Sequence, residues 1–200
     1  MNGCILNESS QRKLQPISPL LRKVVERAAE ITTQPFLVIE GLRTIERQRE
    51  LYAQGKTQTL KSNHLTGNAV DIVPLVNNEI SWDWEYFYPI ADAMDIAADE
   101  LGVPLVWGSA WNGTTNEWDD PKMAQESYKK LRRSQGKNIF LDGPHWELVN
   151  NYSSSVNQEK VQAITKLQQL LNLYGADLRI DGDMGPKTKV ALEEFVKRYG

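Results

Sequence analysis

Two short segments of this sequence place a histidine at a predicted junction between a turn and a strand, and they constrain the fold more than any other feature. The first segment runs from Ser62 to Asp71 and holds His64, seven residues before Asp71. After Gly67 the sequence Ala-Val-Asp-Ile-Val is apolar and β-branched, which predicts a strand that Pro74 stops. Gly67 itself predicts a positive φ or a close approach of two backbone segments.

The second segment holds His145, the other of the two histidines in the chain. The preceding Asp-Gly-Pro is strong turn chemistry, and the following Trp-Glu-Leu-Val is typical of a strand. Neutral imidazole and carboxylate are ordinary zinc ligands, and a hydrolytic zinc site keeps a fourth position for water. His64, Asp71 and His145 therefore form a candidate ligand set if the fold brings both segments together. Spacing alone leaves open the alternative that both histidines have ordinary structural roles.

Both segments resemble the signatures of one enzyme family. The pattern Ser62-x-His64-x-x-Gly67-x-Ala69-x-Asp71 resembles in full the SxHxxGxAxD signature of the VanY-like and L-alanyl-D-glutamate peptidases, which are zinc enzymes that cut peptidoglycan peptides. The sequence Asp-x-x-His-Trp at 142–146 resembles the second signature of that family. Its D,D-dipeptidase members usually have Glu at the acidic position, whereas the phage L-alanyl-D-glutamate endopeptidases have Asp, as here. The resemblance covers roughly residues 15–150.

This resemblance implies a reaction and a set of roles. His64, Asp71 and His145 are expected to bind Zn²⁺, and Asp142 is expected to act as the base that takes a proton from the attacking water. We expect an α+β fold in which a small antiparallel sheet with flanking helices holds the zinc site within residues 1–150. A small all-α domain of three helices is expected to follow it.

Further residues are expected to support the reaction. Arg43 follows a predicted strand in a Gly-x-Arg segment, and the resemblance implies that it faces the substrate near zinc and binds a carboxylate or the developing oxyanion. Ser62 and Glu147 are expected to orient the ligands. Trp107 and Trp111 are expected to line a substrate groove with Trp118, although packing alone explains this aromatic cluster equally well.

Periodicity of apolar residues, together with turn and capping residues, predicts the remaining elements of the first domain. Helices are predicted over residues 19–32, 44–54, 85–101 and 121–134, and strands over 36–39, 104–108 and 146–149. Residues 109–136 have the character of an insertion between two strands.

The composition changes after Val149. Residues 150–155 are mostly polar, which predicts a linker over 151–157, and residues 158–200 predict a compact helical unit. Several residues of this unit resemble the peptidoglycan-binding three-helix domain that accompanies many wall hydrolases. They are Leu167, Gln168, Leu171, Asn172, Gly175, Asp181, Gly182, Gly185, Thr188 and Phe195. The resemblance implies that this unit binds peptidoglycan.

Charge and hydropathy argue against several classes of partner. The net charge is −3 without a basic block, so no nucleic-acid partner is expected, and no stretch approaches the twenty apolar residues of a membrane span. A monomer is expected because heptads are absent. The N-terminus lacks the basic and apolar regions of a signal peptide, which predicts a location in the host cytoplasm and access to the wall through a separate pore protein, a holin.

The leading hypothesis is therefore a phage endolysin, a zinc peptidase that hydrolyses the L-alanyl-D-glutamate bond of peptidoglycan and lyses bacterial cells. One alternative is a D-alanyl-D-alanine carboxypeptidase that uses the same zinc site. The other is a non-enzymatic wall-binding protein with structural zinc. That reading needs a fourth protein ligand, and beyond the two histidines the chain offers a single cysteine, Cys4, near its terminus.

Overall fold

The computed structural model describes residues 3–149, 152–180 and 184–199, which separate into two compact units divided between Val149 and Asn150. The helices are α1 (Glu8–Leu14), α2 (Pro19–Ile31), α3 (Ile45–Ala53), α4 (Trp84–Leu101), α5 (Pro121–Ser134), α6 (Tyr152–Leu173) and α7 (Pro186–Tyr199). The strands are β1 (Phe36–Glu40), β2 (Ala69–Val76), β3 (Glu79–Ile80), β4 (Leu105–Trp107) and β5 (His145–Leu148). None of the helices in these described ranges has the length and apolar character needed to cross a membrane.

The first unit is α+β and is built on an antiparallel sheet in the order β1-β2-β5-β4, with β3 paired to β2. This confirms the predicted small antiparallel sheet with flanking helices. Strand β2 is central, and Asp71 within it lies opposite Glu40 of β1 and His145 of β5. The sheet therefore brings together two segments that are far apart in the sequence.

The helices that flank the sheet begin and end close to where the sequence predicts them. Thr44 caps α3 by accepting a hydrogen bond from the Arg47 N–H, and Asp120 caps α5 by accepting one from the Met123 N–H at 2.9 Å. Gly102 ends α4 with a φ of +62°. Apolar side chains of α2 pack against those of α4 and are fully buried there. They are Leu21, Val24, Val25 and Ala28 in α2 and Ile90, Met94 and Ala97 in α4.

Strand β2 continues through Pro74, so the prediction that this proline stops the strand is wrong. The Leu75 N–H donates to the Pro35 carbonyl across the pair with β1. Since successive N–H groups of a strand point to opposite sides, the Pro74 nitrogen points away from β1 and removes no hydrogen bond from that ladder. On the other side the Pro74 carbonyl accepts from the Ser81 N–H at 3.1 Å, where the short β3 pairs.

Helix α1 is an element that the sequence pattern does not predict. Asn7 caps it by accepting from the Ser10 N–H at 2.8 Å, and the Ser10 hydroxyl in turn accepts from the Val38 N–H of β1. The helix has seven residues and buries one large apolar side chain, Leu14. An apolar period cannot be recognised over so short a stretch.

The second unit contains α6 and α7 within its described residues, rather than the three predicted helices. Its packing includes a hydrogen bond from the Gln168 amide to the Thr188 hydroxyl, and the Asn172 side chain both donates to and accepts from the Leu178 backbone. The Asp-Gly of the predicted peptidoglycan-binding pattern, at 181–182, lies outside the described residues.

Helix α6 begins at Tyr152, within the residues 151–157 that are predicted to form a linker, and these linker bounds stay a prediction. Serine and asparagine, which occur in the first turns of α6, disfavour a helix only weakly. Glycine and proline interrupt a helix, and α6 contains no glycine and no proline. The first predicted linker residue, Asn151, lies outside the described residues.

Gly67 has the conformation that the sequence predicts, and its replacement offers a test of the fold. Its φ is +70°, and an added Cβ would lie 3.2 Å from both the Ile17 Cα and the Pro16 carbonyl oxygen. We expect Gly67→Ala to lower the free energy of unfolding by about 1–2 kcal/mol for the left-handed backbone alone, and by more because of the crowding. Urea denaturation measures the loss. Gly102→Ala is the matched control, since Gly102 has a φ of +62° with open space around it. Equal losses in the two variants would contradict the role of the close approach.

Candidate metal centre

Three side chains from three segments converge at one edge of the sheet. His64 comes from a 3-10 turn over Asn63–Thr66, Asp71 from β2 and His145 from β5. The His64 Nε2, the His145 Nδ1 and the Asp71 Oδ1 lie 3.2 Å apart in each of the three pairings. In a tetrahedral zinc site with bonds of about 2.0–2.1 Å, neighbouring ligand atoms are about 3.3–3.4 Å apart. The three atoms therefore fit one face of such a tetrahedron.

The second nitrogen of each imidazole has an acceptor that fixes its proton. The His64 Nδ1 lies 2.8 Å from the Gly41 carbonyl oxygen, and the His145 Nε2 lies 3.0 Å from the Glu147 carboxylate. Because each of these nitrogens donates, the nitrogen that faces the cluster keeps its lone pair for a cation in the neutral imidazole. The hydrogen-bond partners thus fit a metal-binding histidine pair.

The charges of the cluster are strongly coupled. Burial raises the pKa of Asp71, but hydrogen bonds from His145 and His64 outweigh it and hold that pKa well below its usual range. Burial lowers the pKa of His145, and the hydrogen bonds to Asp71 and Glu147 outweigh it and raise the pKa to about 9. Burial acts to raise the pKa of Glu147, yet its hydrogen bond with His145 lowers it overall. The carboxylates are thus held in the charged form that a cation requires.

Local structure explains why His64 reaches the sheet. The Ser62 hydroxyl accepts from the His64 N–H at 3.3 Å at the start of the 3-10 turn, and Gly67 ends that turn in the left-handed conformation. The Arg43 N–H donates to the His64 carbonyl at 2.9 Å. The loop after β1 therefore holds His64 through the carbonyl of Gly41 and the N–H of Arg43.

Asp142 lies beside the three candidate ligands in the loop before β5. Burial raises its pKa, and the nearby charge of Asp71 raises it further. Two backbone hydrogen bonds of Gly108 hold this loop in place. Its carbonyl accepts from the Asp142 N–H at 2.8 Å, and its N–H donates to the His145 carbonyl at 2.8 Å. An added Cβ at Gly108 would lie 2.3 Å from the Asp142 carbonyl oxygen, so the approach depends on glycine. The result is a half-buried carboxylate next to a candidate cation site.

The Arg43 side chain is held in the protein by three polar groups and is 8% exposed. One terminal nitrogen bonds to Glu40 and lies 3.5 Å from the Asp71 Oδ2, and the other donates to the Gln48 amide oxygen at 2.7 Å. The Gln48 amide nitrogen donates to the Thr59 carbonyl at 2.6 Å. The guanidinium therefore binds the carboxylate oxygen of Asp71 that is turned away from the histidines.

The tryptophans separate into core and surface positions. Trp107 is fully buried, stacks on Trp146 with ring centroids 5.6 Å apart, and donates its N–H to the Gly143 carbonyl. Since a fully buried ring cannot contact a substrate, Trp107 supports the Asp142 loop, and its predicted place in a substrate groove is wrong. Trp111 is partly exposed and stacks on the His145 ring, with centroids 5.3 Å apart. Trp118 packs against both core tryptophans.

Sequence reasoning missed four residues that hold the site, namely Glu40, Gly41, Gln48 and Gly108. Glu40 and Gly41 adjoin the Gly-x-Arg segment, and a β-bulge in β1 next to Glu40 gave no sequence signal. Gln48 is buried on a helix whose other polar residues are exposed, so no pattern distinguishes it. Gly108 is the last residue of a predicted strand, where glycine indicates a close backbone approach.

Comparison with known proteins identifies relatives of this chain. The family model described as phage L-alanyl-D-glutamate peptidase matches residues 3–149. A protein of Escherichia phage T5 named L-alanyl-D-glutamate peptidase is 34% identical in an alignment of 146 residues that covers 71% of this chain and 96% of the relative. A protein of Listeria phage A118 with the same name is 26% identical over 164 residues, which are 82% of this chain and 51% of the relative.

A solved structure is also similar. The crystal structure of the Serratia marcescens L-Ala D-Glu endopeptidase ChiX matches with a TM-score of 0.53 and 36% identity. The match covers 71% of this chain and 87% of the Serratia chain.

Proposed function

This chain belongs to the phage L-alanyl-D-glutamate peptidase family, and from that premise we propose that it is a zinc-dependent endopeptidase that cuts the L-alanyl-D-glutamate bond of peptidoglycan stem peptides. Family membership confirms the resemblance inferred from the two sequence signatures. The observation that carries the zinc proposal is the triangle of donor atoms from His64, Asp71 and His145, with sides of 3.2 Å. Two neutral imidazoles and one carboxylate are a donor set typical of catalytic zinc.

The proposed chemistry divides between the cation and the Asp142 carboxylate. Bound zinc would lower the pKa of a water molecule toward neutrality and polarise the scissile carbonyl. Asp142 accepts the proton of the attacking water and delivers it to the leaving amine of glutamate. Its half-buried position and raised pKa suit the first step, because a carboxylate takes up a proton more readily when its pKa is above the ordinary range.

In this proposal the main role of Arg43 is to orient the Asp71 carboxylate. Its guanidinium neutralises the carboxylate oxygen that points away from the histidines, so the other oxygen stays turned toward the cation. Glu40 and Gln48 hold the guanidinium in that position. The direct contact of Arg43 with a substrate carboxylate or oxyanion, which the family resemblance implies, stays a prediction.

The proposal assigns the second unit to wall binding. A domain that binds peptidoglycan would raise the effective concentration of the enzyme at an insoluble polymer. The Gln168–Thr188 hydrogen bond and the Asn172 contacts give structural roles to three residues of the resembling pattern. Release through a holin and a monomeric state stay predictions.

The test is digestion of purified peptidoglycan with and without a zinc chelator, followed by mass spectrometry of the released fragments. We expect stem peptides that begin at D-glutamate, a product lost on chelation and restored by added zinc but not by added magnesium, which prefers oxygen ligands. The His145→Ala variant, treated identically, is expected to release none.

Other products would contradict the proposal in specific ways. Release of D-alanine alone would identify a carboxypeptidase. Release of the D-glutamate peptide despite chelation would exclude zinc dependence. The absence of any zinc-dependent product would indicate a binding protein.

A further inference from the structure

An open cleft of about 390 Å³ lies between Trp111 and the last turns of α5, and Trp111 connects it to the candidate metal centre. Trp111 lines the cleft, and its ring stacks on the His145 imidazole at an interplanar angle of 27°. Phe140 also lines the cleft and stacks on Trp111, with ring centroids 6.3 Å apart. One side of the cleft is therefore lined by two aromatic rings, and one of them, Trp111, stacks on the candidate metal ligand His145.

The Trp111 indole N–H is an unsatisfied donor on this side of the cleft. Its Nε1 is buried and has no hydrogen-bond partner within the described part of the chain. A buried N–H is stable only when an acceptor meets it, so such a group next to a cleft suits an oxygen atom of a bound ligand. By contrast, the N–H of the core residue Trp107 is satisfied by the Gly143 carbonyl.

The opposite side of the cleft carries positive charge. Arg132, in the last turn of α5, is the charged residue among those described as lining the cleft. Its Nε donates to the Asn138 carbonyl at 2.8 Å, which fixes the guanidinium and leaves the two terminal NH2 groups for a ligand. The neighbouring Lys129 is instead paired with Glu126 at 2.7 Å. The cleft thus contains a guanidinium whose terminal NH2 groups can bind an anion.

We propose that this cleft binds the glutamate side of the substrate peptide, with Arg132 pairing with the free glutamate carboxylate and Trp111 contacting the peptide beside the scissile bond. The inference rests on the proposed function. Glutamate has two carboxyl groups, and when one continues the peptide the other is a free anion. A guanidinium binds a carboxylate through two parallel hydrogen bonds, and the indole N–H satisfies a peptide carbonyl.

The experiment compares peptidoglycan whose glutamate carboxyl is free with peptidoglycan in which that carboxyl is an amide. Cleavage rates are measured over a range of substrate concentrations by mass spectrometry. We expect the wild-type protein to prefer the free acid about tenfold in kcat/KM, since a charge-assisted hydrogen bond is lost with the amide. Arg132→Gln is expected to abolish this preference through a higher KM, with kcat within about twofold of wild type.

Matched variants separate recognition from folding. Arg133→Gln removes an equal charge one residue along α5, outside the cleft lining, and is expected to keep the full preference. Arg132→Lys keeps the positive charge but lacks the forked guanidinium, and it is expected to retain part of the preference for the free acid. Trp111→Phe keeps the aromatic ring and removes the N–H, so it is expected to raise KM for both polymers while the zinc content stays unchanged.

The outcomes distinguish failure of this inference from failure of the proposed function. Cleavage of both polymers by the wild type at equal efficiency, or a full preference retained in Arg132→Gln, would overturn this inference and leave the proposed function intact. Cleavage of neither polymer by the wild type would overturn the proposed function, and this inference with it.

Discussion

Replacing Asp142 by Asn is expected to lower kcat by about 10² to 10⁴-fold, the range that general acid–base catalysis contributes, while zinc content and stability stay close to wild type. Asparagine has the same shape as aspartate but cannot accept the proton of the attacking water. The backbone bonds that hold this loop, between Gly108 and both Asp142 and His145, do not involve the side chain. The geometry of the three candidate ligands should therefore survive the substitution.

The measurement combines peptidoglycan cleavage with the zinc content of the purified variant, and thermal unfolding checks the fold. Asp119→Asn is the matched control, because Asp119 is an exposed aspartate in the same inter-strand segment and is expected to leave kcat unchanged. A variant Asp142→Asn that keeps more than about a tenth of wild-type kcat would exclude Asp142 as the base, given the size of that contribution. Loss of zinc together with activity would instead assign Asp142 a role in holding the metal.

Sequence alone could predict the residues of this site because their identities reflect local chemistry. His64 and Asp71 flank a glycine that must adopt a positive φ, and His145 follows an Asp-Gly-Pro turn, so each pattern is visible within ten residues. What brings them together is the pairing of β2 with β5, in which Asp71 lies opposite His145. That register depends on contacts between segments some seventy residues apart, and it could be inferred only from the family resemblance.

The supporting network is less visible in the sequence for the same reason. Arg43 looks like a surface or substrate-facing cation until the sheet places Asp71 beside it, and Gln48 acquires its role only through the Thr59 carbonyl. Trp107 and Trp111 are both aromatic residues near a strand end, yet packing buries the first and leaves the second partly exposed. Burial is decided by tertiary structure, so composition and spacing cannot separate the two roles.

The hydrogen-bond partners of the two histidines differ in a way that mutagenesis can use. His64 is oriented by a backbone carbonyl, that of Gly41, which no side-chain substitution removes. His145 is oriented by the Glu147 carboxylate, which a single substitution changes to an amide. The contribution of a supporting partner to metal binding can therefore be measured on the His145 side.

We expect His145→Ala to abolish stoichiometric zinc binding and hydrolysis, and Glu147→Gln to weaken zinc affinity by about 10–100-fold while keeping one zinc per chain at saturation. The first variant removes one of three protein ligands, and the second keeps the ligand but weakens the acceptor that fixes its tautomer. Competition with a fluorescent zinc chelator measures both affinities. Glu46→Gln, which alters an exposed carboxylate in the first turn of α3, is the control and is expected to bind zinc like wild type. Wild-type zinc affinity in His145→Ala would show that the ion binds elsewhere, and an unchanged affinity in Glu147→Gln would show that the carboxylate does not tune the ligand.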